Sequence, residues 1–307
     1  MITHYFKTIQ DKELKVLNEI RTGIWTHVVA PTNEEVAQIV SEYALDAAIL
    51  EDARDFFEVP RLERSSSVSY FFTRYPIDDK AADTETAPLL IVMGESFLLT
   101  FALREVPQFK GFIDGTIEIF TTQKAKFFIQ VMDSITRSFE RELVRFRKSV
   151  QRDRTRLRKI GSREIERFVN AEDDLNDIVA ALVPTNVWLQ QVTNGNYMQL
   201  YNEDMELMQD LMIANSQLVD SARSVLKTIQ NIRSATEAIL TNQLNLTIRT
   251  LTILTIILTI PTIVASLYGM NVPLPLSHNQ YAFWMVLGFI GITVGTVVLL
   301  FKHHKWL

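Results

Sequence analysis

Residues 250–301 read TLTILTIILTIPTIVASLYGMNVPLPLSHNQYAFWMVLGFIGITVGTVVLLF. These 52 residues hold no Asp, Glu, Lys or Arg, in a chain of 307 residues of which 22% are charged. Two apolar runs frame the stretch, Leu246 to Leu267 and Ala282 to Phe301, separated by a polar, Pro-containing segment from Tyr268 to Tyr281. At helical rise they span about 33 Å and about 30 Å, each a match to the hydrocarbon core of a bilayer. A buried hairpin in a soluble core would rarely keep such a length free of charge, so two transmembrane helices joined by a short outer loop are expected.

The flanks set the expected orientation. Arg249 precedes the first span, Lys302, His303, His304 and Lys305 follow the second, and the loop between them has no Lys or Arg. Positive flanks stay on the cytoplasmic side, which puts both termini in the cytoplasm. The first residues show no apolar core and no small-residue cleavage site, so no signal peptide is expected and residues 1–245 are read as cytosolic. The chain has no cysteine, which excludes disulfide frameworks, thiol nucleophiles and iron–sulfur sites and suits a reducing compartment.

Outside the membrane the texture changes near Gly115. Residues 1–120 carry 11 basic and 20 acidic side chains, whereas 121–180 carry 14 and 10. Runs at Ile24 to Ala30, Ser67 to Tyr75, Pro88 to Val92 and Ser96 to Leu103 are strand-like. Thr32 to Ala48 reads as a helix opened by Thr32 with Glu35 at capping-box spacing. Together they make residues 1–115 an α/β domain. Neither Gly nor Pro occurs from Thr116 to Ile160, nor in the 65 residues from Asn196 to Ile260. Long antiparallel helices are therefore expected over 116–202, followed by a stalk helix, 203–245, that continues into the transmembrane segment 246–307 with its spans at 246–267 and 282–301, outer loop 268–281 and basic tail 302–307. The basic run Arg137 to Arg167 has twelve Lys and Arg against five Asp and Glu, but interleaved acids and few aromatics mark a solvated helix face rather than a nucleic-acid site.

The stalk has two faces. Leu211, Leu218, Ala222, Val225, Ile229 and Ile232 form an apolar seam. Opposite it Asp220, Ser224, Lys227, Asn231, Ser234, Ala238, Thr241 and Asn245 share the same spacing. This second face enters the first span as Asn245, Ile248, Thr252, Thr255, Thr259, Thr262 and Ser266, along one side of a helix. Hydroxyls in a membrane helix either bond back to the carbonyl four residues earlier or glue helices together. Alternatively, several copies turn them toward a shared axis and line an uncharged polar pore. The length and regularity of the stripe favour the pore, and because two spans cannot enclose one, a closed homo-oligomer follows. Gly291 and Gly295 make a GxxxG on the second span, a weak signal for close helix packing.

At the outer end of the first span stands Tyr268-Gly269-Met270-Asn271. With two C-terminal spans, a short loop and a basic end Lys305-Trp306-Leu307, this resembles the CorA family of magnesium transporters, whose signature is a Gly-Met-Asn triplet usually preceded by Tyr. The resemblance covers the whole chain and implies a homopentamer in the plasma (inner) membrane, a selectivity filter at Tyr268, Gly269, Met270 and Asn271, and passage of Mg²⁺, with Co²⁺ or Ni²⁺ as further cargo. It also implies that Ile248, with Leu251 beside it, forms a hydrophobic constriction that gates by dewetting. Leu50-Glu51-Asp52 followed by Val59-Pro60-Arg61-Leu62-Glu63 resembles the segment bearing the family's regulatory Mg²⁺ ligand, with Asp52 its best match and Glu51 beside it; Asp210 aligns with the carboxylate across the interface.

Mg²⁺ holds its water tightly, so neutral amide and carbonyl oxygens that accept hydrogen bonds from hydration water make a reasonable filter. The chain departs from the family in two ways. Its outer loop, Val272 to Tyr281, has no acid, and Lys227 lies on the polar stalk face, where its long stem can carry the charge sideways. His278 alone in the loop makes no metal site. Zn²⁺ transport on the same scaffold, or a membrane-tethered sensor without transport, are the competing readings; retention of Met270 favours magnesium. No GxxxxGK[ST] loop, nucleophile elbow or metal-ligand histidine spacing occurs, so neither a nucleotide nor an enzyme is expected.

Overall fold

The computed structural model describes residues 1–77, 85–154, 162–194, 197–272, 275 and 280–304. His278, the Lys305-Trp306-Leu307 end and residues 155–161 of the basic run lie outside the described residues. The chain divides into two compact units, Met1–Arg233 and Ser234–Leu307.

The first unit is built on a seven-stranded sheet. Its strands are β1 (Ile2–Phe6), β2 (Lys15–Leu17), β3 (Ile24–Val29), β4 (Leu62–Ser65), β5 (Val68–Ile77), β6 (Glu85–Met93) and β7 (Phe97–Ala102), in the spatial order β2-β1-β3-β7-β6-β5-β4. Every pairing is antiparallel except β3 with β7, whose register sets Trp25 opposite Leu98 and His27 opposite Thr100. Side chains alternate across the sheet as a period of two requires. Phe71, Leu89, Ile91 and Met93 face one core with Trp25, Phe127, Phe128 and Trp188. Tyr70, Phe72, Leu90 and Val92 face another with Ile39, Tyr43 and Leu50. Both faces are covered, which explains why β5 to β7 read as continuous apolar runs. A fully buried Phe or Leu on either face contributes about 1.5–3 kcal/mol of transfer free energy.

Helices α1 (Asn33–Tyr43) and α2 (Ala47–Asp52) carry the residues of the second core. The sequence reads one helix from Thr32 to Ala48; the chain breaks it at Ala44, which adopts a left-handed φ of 51°. There the Leu45 N–H bonds back to Val40 O, and Asp46 starts the next helix by accepting from Ala48 N. At the other end of α1 the capping box is present: Thr32 Oγ1 accepts from Glu35 N at 3.2 Å and Glu35 Oε2 accepts from Thr32 N at 2.9 Å. Helix α3 (Lys110–Ile113) is a single turn after the sheet.

The long helices are α4 (Lys124–Arg154), α5 (Ser162–Asn194), α6 (Asn202–Tyr268) and α7 (Ala282–His303). All six residues of the apolar stalk seam, Leu211, Leu218, Ala222, Val225, Ile229 and Ile232, are buried in the first core together with Leu175, Ile178 and Leu182 of α5. The seam thus packs within its own chain. Asn215, between seam positions, donates to Leu182 O, and Arg233 pairs with Glu172 at 2.5 Å. On the opposite side Asp220, Ser224, Lys227 and Asn231 are exposed.

In the second unit, the most apolar 18-residue windows of α6 and α7 are 6% and 0% buried. A hairpin in the core of a soluble protein would be covered, so these two surfaces require an apolar surrounding from outside the chain. Gly288, Gly291 and Gly295 of α7 have nothing within 4 Å of an added Cβ, so the GxxxG surface is open in the single chain.

Candidate ion pathway and acidic cluster

Asn245, Ile248, Leu251, Thr252, Thr255, Thr259, Thr262 and Ser266 are all exposed on α6. The Thr hydroxyls are not idle. Those of Thr252, Thr255, Thr259 and Thr262 donate to the carbonyls of Ile248, Leu251, Thr255 and Leu258 at 2.8, 2.8, 2.7 and 2.8 Å. The back-bonding and pore readings therefore do not exclude one another. A hydroxyl whose proton is spent on an inner carbonyl shows only oxygen lone pairs outward, so the stripe is a row of acceptors suited to hydration water or a cation.

Helix α6 ends where the Tyr-Gly-Met-Asn motif begins. Gly269 N–H reaches Ala265 O at 3.0 Å and Ser266 O at 3.3 Å, and Met270 N–H reaches Leu267 O at 3.3 Å, closing the last turn. A Cβ at Gly269 would stand 3.4 Å from Ala265 O. Met270 and Asn271 follow directly, both exposed. The last turn has no basic residue to neutralise it. Helix C-termini carry about half a negative charge on their unpaired carbonyls, so the motif sits where a cation is favoured even though the loop offers no carboxylate. The Tyr268 hydroxyl lies 3.4 Å from Pro275 O, at the outer limit of a hydrogen bond. Between the two spans, Ala265, Tyr268, Phe283, Val286, Leu287 and Ile290 line an apolar cleft of about 250 Å³.

In the first unit, Asp52 and Glu51 end α2 on its exposed side. Neither is a bare carboxylate: Glu51 pairs with Arg54 at 3.1 Å and Asp52 with Arg61 at 2.7 Å. Arg61 is the residue that sequence reasoning passed over. Its Nε meets Glu63, its Nη1 meets Glu58 and its Nη2 meets Asp52, while the guanidinium carbon lies 4.0 Å from the centre of the Phe72 ring. A signal for part of this was present, since Arg61 and Glu63 stand two apart at a strand entrance and so share a side. Asp210 lies exposed on α6. Among the described residues no group of three or more His, Asp or Glu side chains is arranged to hold a metal ion within one chain.

An α/β domain, a long helix and two uncovered apolar C-terminal helices with polar acceptors along one span are the parts of a membrane transport protein. The model of the CorA-like Mg²⁺ transporter protein family matches residues 21–303, and the chain belongs to that family. The cobalt/magnesium transport protein CorA of Methanocaldococcus jannaschii is 24% identical over 298 residues, covering 92% of this chain and 91% of the relative. The magnesium transport protein CorA of Helicobacter pylori is 24% identical over 308 residues, with coverage of 92% and 91%. The complete structure of the M. jannaschii CorA magnesium transporter superposes with a TM-score of 0.84 at 21% identity, covering all of this chain and 99% of that one. The fold is that of the family from end to end, and the chain is a divalent cation transporter of the membrane.

Proposed function

We propose that the chain forms a magnesium channel of the plasma (inner) membrane, a homopentamer with both termini cytoplasmic, through which Mg²⁺ enters down the membrane potential. Co²⁺ and Ni²⁺ are secondary cargo. The observation that carries this reading is the placement of Gly269-Met270-Asn271 at the carbonyl end of α6, directly above a row of Thr hydroxyls whose protons are already committed. Neutral oxygens at a negative helix end attract a hydrated divalent ion without holding it as carboxylates would. Because one chain has two spans, the path needs several copies of the α6 stripe around a common axis.

The driving force is electrical. A divalent ion moving inward across 100 mV gains about 4.6 kcal/mol, sufficient without nucleotide coupling. Closure follows internal Mg²⁺ binding at Asp52, with Asp210 of a neighbouring copy completing the ligands; one chain alone does not supply three such side chains among the described residues. A bridging Mg²⁺ draws the two carboxylates together.

The test is Mg²⁺ entry into proteoliposomes under an inside-negative potential, read by an internal indicator, for the native chain and Asn271→Ala. Influx by the native chain that collapses in an intact mutant oligomer supports the channel. Absence of native influx with Mg²⁺ removed from inside overturns it, and uptake of Zn²⁺ in its place would assign the other cargo.

A further inference from the structure

Arg61 is fixed at both ends. Its backbone N–H and C=O pair with Phe72 on β5, at 3.2 and 2.8 Å, and its guanidinium lies over the Phe72 ring. Each of its three nitrogens meets a different carboxylate, from Asp52, Glu58 and Glu63. The carboxylates are themselves positioned: Asp52 by the end of α2, Glu63 by β4, and Glu58 by a loop whose carbonyls at Phe56 and Glu58 both accept from Arg74 Nη1 at 2.9 Å. Three carboxylates thus converge on the one guanidinium of Arg61, with that of Arg74 beside the same loop. Asp52 is the carboxylate solution reaches, with its side chain 55% exposed against 16% for Glu58 and 36% for Glu63.

We infer that Arg61 is a built-in competitor for the regulatory cation: it occupies Asp52 when internal Mg²⁺ is low, and Mg²⁺ must displace it to close the channel, so this one guanidinium sets the concentration at which closure occurs. The inference rests on the reading of Asp52 as a regulatory Mg²⁺ ligand. A guanidinium is well suited to the task. It cannot lose its charge, its planar fork matches several carboxylates at once, and Glu58 and Glu63 retain it after Asp52 is released. The exchange then moves Asp52 from an internal partner to an ion without expelling a bare cation into solution.

The experiment is titration of internal Mg²⁺ against influx in proteoliposomes containing the full chain, comparing Arg61→Gln, Arg61→Lys, Asp52→Asn and the Arg61→Gln/Asp52→Asn pair, with Mg²⁺ protection from proteolysis in detergent as a second readout. Removing the competitor is expected to lower the Mg²⁺ concentration for half-closure by about threefold to tenfold, the range for loss of one partly exposed ion pair together with its repulsion of the incoming ion. Lys, a point charge unable to span the three carboxylates, is expected to shift it the same way by less, and this variant keeps the inference testable where Arg61→Gln fails to assemble. Asp52→Asn is expected to raise the midpoint, and the double variant to behave as Asp52→Asn alone. An unchanged or raised midpoint in the Arg61 variants, alongside a raised one in Asp52→Asn, overturns the competitor while leaving the sensor in place. No shift in any variant removes Asp52 as the ligand, and the sensor reading fails with it.

Discussion

His27 Nδ1 and Thr100 Oγ1 lie 2.8 Å apart across the parallel β3–β7 pair, and the same hydroxyl accepts from Trp25 Nε1 at 3.0 Å. The imidazole is enclosed by Trp25 and Phe109, and burial pushes its pKa down to about 4, partly offset by the backbone of Thr100. The unfolded chain takes up a proton near the ordinary value of 6.5 while the folded chain resists it down to about 4, so stability is full above 6.5 and is lost as pH falls through that window. The loss reaches on the order of 3 kcal/mol at the acid end. Thermal unfolding of the detergent-solubilised chain at pH 7 and pH 4.5 is expected to show a steep fall in Tm that flattens in His27→Gln; equal slopes in the two proteins would refute it.

Thr32→Ala removes the acceptor for the Glu35 N–H and opens the capping box at the head of α1. The expected cost is about 1 kcal/mol, visible as a reduced denaturant midpoint at unchanged m-value. Thr32→Ser is expected to restore most of it.

Replacing Thr255 and Thr259 by Val keeps the shape of the stripe and deletes its outward acceptors. The hydroxyl-to-carbonyl bonds at these positions add to the helix ladder rather than replace it, so helix content should not change. Each substitution is expected to slow Mg²⁺ influx by roughly fivefold, the worth of one neutral hydrogen bond. Influx at the native rate in the double variant would show that the ion path does not run along this face.

Asp210→Asn leaves an isosteric amide at an exposed position, so folding and basal influx should be native. If it completes the ligands of a regulatory ion, the internal Mg²⁺ needed for half-closure rises severalfold. A midpoint equal to that of the native chain would leave Asp210 an ordinary surface acid.

The features legible in sequence are those written in periodicity and in obligatory polar chemistry. The 52 uncharged residues foretold two uncovered apolar helices, and the Thr32–Glu35 spacing foretold a real capping box. Strands β3, β5, β6 and β7 were visible because both faces are buried. Strands β1, β2 and β4 were not: β1 is half-buried along most of its five residues, β2 is three residues long and mostly exposed, and β4, Leu-Glu-Arg-Ser, is held by pairing with β5 rather than by any apolar pattern of its own. The break at Ala44 escaped because an alanine takes the left-handed position that a glycine would have announced. At the site, the helix end at Gly269 could be anticipated. The Arg61 pairing with Asp52 could not, since nine residues and a turn separate them and no helical or strand spacing joins them.

The order of the sheet has one more consequence. Tyr70-Phe71-Phe72 of β5 and Leu89 to Met93 of β6 are the kind of segment by which separate molecules join into fibrils. In the folded chain both are interior strands, and among the described residues the unpaired rims belong to β2 and β4. One rim is three residues long and opens with Lys15; the other alternates Glu63 and Arg64. Short charged rims give a neighbouring strand little to hold, so many copies of this sheet can be crowded onto one membrane without being stitched together edge to edge.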